Sequence, residues 1–254
     1  MLYNSLSMPP KPRIKLIYSD ASILVVSKPA GITTIPDSQN NKEPDLAAQL
    51  RAEYGDIWVV HRLDKETSGV LVVARTEAAH RNLNDQFESR QVSKVYHALV
   101  NGQPAWQENE VSAPLKVDAD RFHRTLVDHS AGKPAVTHFK VLERFGRGKR
   151  RWALVEARPE TGRTHQIRVH LMTLGNPIAV DVLYGTPTPI RLSSFKTDYR
   201  GEPEDERPLL NRLGLHALQL SFMHPDSGTP VTFEAPYPKD FNATLNQMRR
   251  HAAS

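Results

Sequence analysis

Residues 57–74 read IWVVHRLDKETSGVLVVA. Ile57–His61 is an apolar run of strand length that stops abruptly at Arg62-Leu63-Asp64. Lys65–Gly69 is turn chemistry, and Val70–Ala74 is a β-branched second strand. This strand–turn–strand unit predicts a β-rich framework and leaves one acid, Asp64, at a strand's end. Such an end holds a side chain rigidly at a surface, which catalysis requires.

The pattern continues on both sides. Ile14–Tyr18 and Ser22–Val26 flank a turn at Ser19-Asp20, and Lys28-Pro29-Ala30-Gly31 closes that strand pair. Asp45–Tyr54 reads as a helix capped by Asp45, with Leu46, Leu50 and Tyr54 on one stripe. Thr76 caps a second helix, in which Ala79, Leu83 and Phe87 keep a four-residue spacing through Gln91. Ser93–Val100 is a strand closed by Asn101-Gly102. Ala135–Leu142 and Arg151–Ala157 are strands joined by the basic loop Arg147-Gly148-Lys149-Arg150. A third helix starts at the candidate cap Thr164, buries Ile167, Leu171 and Leu174, and ends at Gly175 and Pro177. Residues 186–208 carry four prolines and few apolar side chains, which predicts a long exposed loop. Leu215–Phe222 and Pro230–Phe233 form a last strand pair around His224–Gly228. No linker divides the chain. The expectation is a proline-rich, flexible N-terminal arm over 1–13 and one α+β domain over 14–250.

Composition removes several classes of function. The chain has 254 residues, a formal charge of +5 and no cysteine. Disulfides, thiol catalysis, iron–sulfur clusters and cysteine-based zinc sites are therefore excluded. The apolar runs Ile23–Val26 and Val70–Ala74 are far too short to span a membrane, and residues 1–13 lack the apolar core of a secretory signal. A cytoplasmic protein is expected. Positive charge is concentrated between Arg121 and His170, where twelve Lys and Arg face four Asp and Glu. A local excess of +8 is often only a solvated face, but it also suits a polyanionic partner.

Three side chains stand out as chemistry. Asp64 beside Arg62 would ordinarily be a surface ion pair. Arg168 lies about 100° around its helix from the buried Ile167, where a guanidinium at a cleft edge can meet an acid or a phosphate. Tyr96 shares a strand face with Lys94, an aromatic platform beside a cation that suits a stacked base and its phosphate, although most strand tyrosines fill a core edge. The histidines, His165 and His170 included, lack metal-ligand spacing, and no P-loop, GxSxG elbow or strand-linked GxGxxG is present. What remains is a metal-free site built on one carboxylate, with Arg, Tyr and a basic surface.

The segment His61–Gly69 (HRLDKETSG) resembles the HRLDxxTSG signature of the RluA-type pseudouridine synthases. In the same order as in that family stand Tyr18-Ser19-Asp20 through Lys28-Pro29-Ala30-Gly31, Lys94-Val95-Tyr96, Pro159–Leu171 (PETGRTHQIRVHL), Asn176–Gly185 (NPIAVDVLYG), Leu215-His216-Ala217 and His224-Pro225. The likeness spans residues 14–240. It implies Asp64 as the catalytic nucleophile, Tyr96 packed against the target base, and Arg168 paired with Asp64. It also implies Arg62 in the space left by a flipped nucleotide, no metal or organic cofactor, and a mixed, mostly antiparallel sheet in two subdomains flanking an RNA cleft.

Two departures stand within these blocks: Val180 takes the place of the family's usual Gly, and the 186–208 loop is long. The opening block starts near Ile14, which matches the branch lacking an S4 domain. RNA affinity is then expected from the catalytic domain itself, with Arg62, Lys94, Arg163, His165 and Arg150 as RNA-binding residues. The implied activity is isomerisation of uridines in structured tRNA or ribosomal RNA by a monomer. Asp64 would attack C1′, assist a glycal route or add to C6, and Tyr96 or water would remove the C5 proton. A non-catalytic RNA-binding protein on the same scaffold is the alternative. A uridine nucleosidase is a further rival, and it would need a second carboxylate, for which Glu66 is nearest.

Overall fold

Runs of Val, Ile and Leu buried on both faces, with strands of alternating burial beside them, carry the chain into one large sheet. The computed structural model describes residues 13–36, 45–148, 150–202 and 205–252. It begins with β1 (Lys15–Ser19), β2 (Ile23–Lys28), α1 (Leu46–Tyr54), β3 (Trp58–Val59), β4 (Ser68–Ala74), α2 (Glu77–Glu88) and β5 (Ser93–Asn101). Then follow β6 (Glu108–Ser112), β7 (Leu115–Lys116), β8 (Leu126–Val127), β9 (Val136–Arg147), β10 (Arg150–Pro159) and α3 (Gln166–Thr173). The chain closes with β11 (Leu215–Met223), β12 (Pro230–Glu234) and α4 (Lys239–His251). The sheet order is β1-β2-β4-β11-β5-β10-β9-β6, with β3 added to β4 and β12 to β11; β7 and β8 pair separately. Only β4 and β11 run parallel, through two residue pairs. This is the mixed, mostly antiparallel α+β sheet that the motifs imply.

That short parallel seam joins two halves with separate cores. One half buries Ile23–Val26 and Val70–Ala74 under Leu46, Leu50 and Leu83 of the first two helices. In the other half, alternation along β5 and β10 sends Ala98, Val100 and Val155 to a face covered by Ile167 and Leu171 of α3. Leu99 and Leu154 point the opposite way, onto Phe241, Leu245 and Met248 of α4.

Local signals act as expected at two helices: Asp45 accepts a hydrogen bond from Ala48 N and Thr76 from Ala79 N. Elsewhere long-range contacts override them. The strand expected over Ile57–His61 shrinks to Trp58–Val59, because His61 turns inward and its Nε2 accepts the backbone N–H of Val72. Helix α2 ends at Glu88 rather than Gln91. Arg90, at φ +60°, closes it in a Schellman motif, with Gln91 N donating to Gln86 O. Thr164 is not the cap of α3; that place belongs to His165, which is left-handed and makes no side-chain cap. The 186–208 segment is not wholly exposed. Ile190 bridges to Leu210, and Ile190 and Phe195 are buried in the core beneath α4. The helix α4 itself is absent from the sequence reading, although Phe241, Leu245 and Met248 recur at helical spacing. Residues 1–12 of the expected arm, and Lys149 of the basic loop, lie outside the described residues.

One lateral row crosses the seam: Gly69 pairs with Ala217, Ala217 with Tyr96, and Tyr96 with Ala157. Small neighbours leave room for the Tyr96 ring. Gly69 (φ +130°) lets β4 approach β11 so closely that a Cβ would lie 2.1 Å from Ala217 O. Gly69→Ala is therefore expected to cost about 3 kcal/mol or more in urea unfolding. Gly55→Ala, where space is open but φ +80° and ψ −153° fall in a region essentially confined to glycine, is expected to cost about 1–3 kcal/mol.

Candidate active site

The two halves enclose an open cavity of about 530 Å³ beside the parallel seam. The loop 60–67 forms one wall, residues 159–168 the other, and Lys94, Tyr96 and Leu215 line it from the strands. Asp64, Arg62, Tyr96, Arg168, Lys94, Arg163 and His165 all line it, so seven of the eight expected site residues meet in one place. Arg150 does not. It sits nine residues up β10 from Pro159, about 30 Å at strand rise, and its guanidinium donates to Ser193 O. A basic loop at the far end of a long hairpin is remote from the cleft however close it stands in sequence to other cations.

The loop carrying Asp64 is fixed from below by residues 28–34. Thr34 Oγ1 donates to Leu63 O and accepts from Leu63 N, at 2.9 and 3.1 Å. On the other side of Asp64, Lys65 O accepts from Gly31 N and from Lys28 Nζ. Lys28 is fully buried and also donates to Pro29 O and Ile32 O. Burial lowers its pKa to about 7, against the opposing charges of Asp64 and Glu66. The acid is thus held by both its neighbours while its own side chain stays 29% exposed.

Arg168 meets Asp64 less directly than the sequence implies. Its Nη1 stands 3.9 Å from Asp64 Oδ2, a charge contact rather than a hydrogen bond. The bidentate partner is Asp181, through Nε to Oδ2 at 2.8 Å and Nη2 to Oδ1 at 2.7 Å. The fork of the guanidinium is taken by Asp181, so only Nη1 remains for the catalytic loop. Asp181 Oδ1 also accepts from Leu183 N and Tyr184 N. Burial alone would raise its pKa; the bonds and charge of Arg168 and these backbone donors outweigh that and hold the carboxyl below its ordinary value. Val180 adopts φ +58°, so the turn keeps the left-handed conformation that glycine favours despite the β-branched side chain.

The remaining groups shape the cleft. His165 Nε2 is also 3.9 Å from Asp64 Oδ2, while Arg62 reaches across the mouth to Thr164 Oγ1. Burial lowers Lys94 to about 8, with Arg90 adding to the effect, and its Nζ faces Thr161 O. Burial, and then the charge of Asp64, raises Tyr96 well above the ordinary phenol range, so its ring is a neutral face at physiological pH. Arg163 is turned to Pro134 O at the rim. Glu66, the nearest second acid in sequence, does not line the cavity, whereas Glu88 and Glu160 do. Among the described residues, no group of three His, Asp or Glu side chains is placed to hold a metal ion, and no helix is long and apolar enough to cross a membrane. The sequence reading misses Lys28, Thr34, Arg90, Asp181 and Tyr184. The only local hint was a place inside quoted motif blocks, and Thr34 and Arg90 had not even that.

Arg168 is 4% exposed and the Asp181 carboxyl not at all, so Asp181→Asn strands a buried cation and is expected to destabilise the fold by about 3–5 kcal/mol in urea titration. The sign of the pH effect follows from the lowered carboxyl. In the parent chain this contribution is complete above the unfolded value near 3.8 and is lost as the pH falls from there towards the lower folded value. The variant should lack that acid-dependent loss.

A family model described as RNA pseudouridylate synthase matches residues 22–173. The chain is 37% identical, over 98% of its length, to the ribosomal large subunit pseudouridine synthase D of Neisseria meningitidis serogroup B, of which it spans 65%. It is 36% identical to the dual-specificity RNA pseudouridine synthase RluA of Escherichia coli K12, covering 90% of this chain and 95% of that one. Its fold is similar to that of human RNA pseudouridylate synthase domain containing 1, with a TM-score of 0.69 and 30% identity over 91% of this chain and 87% of that one. For human RNA pseudouridylate synthase domain containing 4, the TM-score is 0.68, with 25% identity over 92% and 93%. A family match over more than half the chain and a relative aligned almost end to end place this chain in the RNA pseudouridylate synthase family.

Proposed function

We propose that the protein isomerises uridine to pseudouridine within structured RNA, with Asp64 as the acting carboxylate. The observation that carries this is Asp64 on the wall of a cleft rich in cations, approached on one oxygen at 3.9 Å by Arg168 and His165 and accompanied by the Tyr96 ring. The reaction breaks N1–C1′, joins C5 to C1′, returns a proton to N1 and releases the C5 hydrogen. The base is retained and no water need be activated, so one carboxylate suffices, at the sugar–base linkage. A stacked uridine is out of reach of such a wall, so the nucleotide must be everted, at a cost of a few kcal/mol. The neutral face of Tyr96 offsets part of that by stacking, about 1–3 kcal/mol. The C5 hydrogen leaves to Tyr96 or to water.

Arg62 and Lys94 at the cleft, with Arg163 and His165, suit the phosphates and bases around the target. The substrate class we assign is a loop of tRNA or ribosomal RNA; the name of the Neisseria relative speaks of the ribosomal large subunit and that of the Escherichia coli relative of RNA with dual specificity. The protein is taken to act in the cytoplasm, as a monomer and without a cofactor.

Asp64→Asn is expected to abolish tritium release from RNA carrying 5-tritiated uridine while leaving RNA affinity within about two-fold. Near-normal release would refute the assignment. Free uracil in place of pseudouridine would mark a nucleosidase, and binding by the parent chain without any release would mark a non-catalytic RNA binder.

A further inference from the structure

The cleft holds a histidine whose ring is oriented from behind. His165 adopts φ +56° at the start of α3, and its side chain, free of any capping bond, turns towards Asp64. Behind it, Nδ1 lies 2.8 Å from Tyr184 Oη, and the same hydroxyl accepts the backbone N–H of Thr125 at 2.8 Å. Beyond these two bonds, among the described residues, Tyr184 Oη faces only the Thr125 side chain, whose buried Oγ1 makes no hydrogen bond of good geometry. A phenol has one hydrogen. Were Nδ1 the donor, the hydroxyl would receive two hydrogens and its own would have only the poorly placed Thr125 Oγ1 to turn to in a buried position, which is costly.

We infer that Tyr184 is a positioning residue for the proposed reaction: its hydroxyl donates to His165 Nδ1, selects the neutral Nε2–H tautomer, and so aims that N–H at one oxygen of Asp64. The inference rests on the proposed function for its catalytic meaning, not for its geometry. Both His165 Nε2 and Arg168 Nη1 converge on Oδ2. Oδ1 makes no hydrogen bond or ion pair among the described residues, and it is the oxygen left for the substrate. Contacts of 3.9 Å in a free protein are of the length that tightens to a hydrogen bond in a substrate complex. The ring stays uncharged there: burial opposes its protonation first, Arg168 and Arg62 add to that, and Asp64 and Asp181 only partly offset it. Tyr184 is suited to hold the ring still, because its own ring lies against the Arg168 guanidinium, 4.9 Å from centroid to Cζ, and the hydroxyl sits at the base of the β7–β8 hairpin through Thr125.

The test uses the full chain in two arms. Nitrogen-15 NMR of the imidazoles should find His165 with a bare Nδ1 and a protonated Nε2, a preference lost in Tyr184→Phe, which keeps the aromatic ring against Arg168. Single-turnover tritium release should fall about ten-fold in Tyr184→Phe with RNA affinity unchanged. His165→Asn should fall at least as far. His165→Gln, whose amide hydrogens sit near the position of Nε2, should recover most of the loss. A proton on Nδ1 in the parent protein, an unaltered tautomer in Tyr184→Phe, or parental rates in that variant would each overturn the inference. A parent chain that releases no tritium refutes the proposed function instead, and the NMR arm still decides the tautomer.

Discussion

A buried guanidinium needs a carboxylate within reach, and this structure gives Arg168 two. Asp181 satisfies the planar fork with two hydrogen bonds, and Asp64 receives what is left, the charge of Nη1. The arrangement is asymmetric in a useful way. A fully paired Asp64 would be neutralised and immobile, whereas an Asp64 facing no cation would be poorly placed to develop a bond at an anionic substrate. Asp181 takes the structural duty, so Asp64 stays partly exposed and still lies in the field of a cation. Helix α3, the turn at Val180 and the loop after β3 have to meet at this one point. The fold is therefore tied to the site by an interaction that cannot be loosened cheaply.

Precision at Asp64 comes from its neighbours rather than from its own side chain. Leu63 and Lys65 are held through their backbones by Thr34, Gly31 and Lys28. A turn pinned on both flanks gives its central residue little freedom, which preorganises the carboxylate. Strain gathers around the same place. Arg90 and His165, which line the cleft, and Val180, beside Asp181, are all non-glycine residues in the left-handed region. Each such conformation costs on the order of 1–3 kcal/mol and persists only where the surroundings over-determine it. At Arg90 the left-handed residue closes a helix and delivers a cation to the mouth. At His165 it turns the ring out of the helix axis and towards the acid.

Several sequence signals were physically sufficient. Asp45 and Thr76 cap their helices because the cap bond spans only three residues. Others were overruled by distant partners. Thr164 has the chemistry of a cap, yet its hydroxyl accepts from Arg62 across the cleft while His165 begins the helix. His61 reads as the end of a strand, yet it replaces a ladder acceptor for Val72 and cuts that strand short. Arg150 reads as part of a basic surface, yet hairpin length carries it away from the cavity.

By itself the sequence determined the strand-rich α+β framework and the order of its elements, through short-range periodicity, turn residues and caps. It also singled out Asp64, because one polar break between apolar strands is conspicuous in one dimension, and the family resemblance added roles for Tyr96, Arg168 and their cationic company. Only the tertiary structure decided that Arg168 is shared, that Asp181 and Tyr184 stand behind the acid and the imidazole, and that Lys28 and Thr34 clamp the loop. Those relations join residues 13 to more than 35 positions apart or turn on a single hydroxyl's direction. Packing in three dimensions sets them, and no local propensity encodes them.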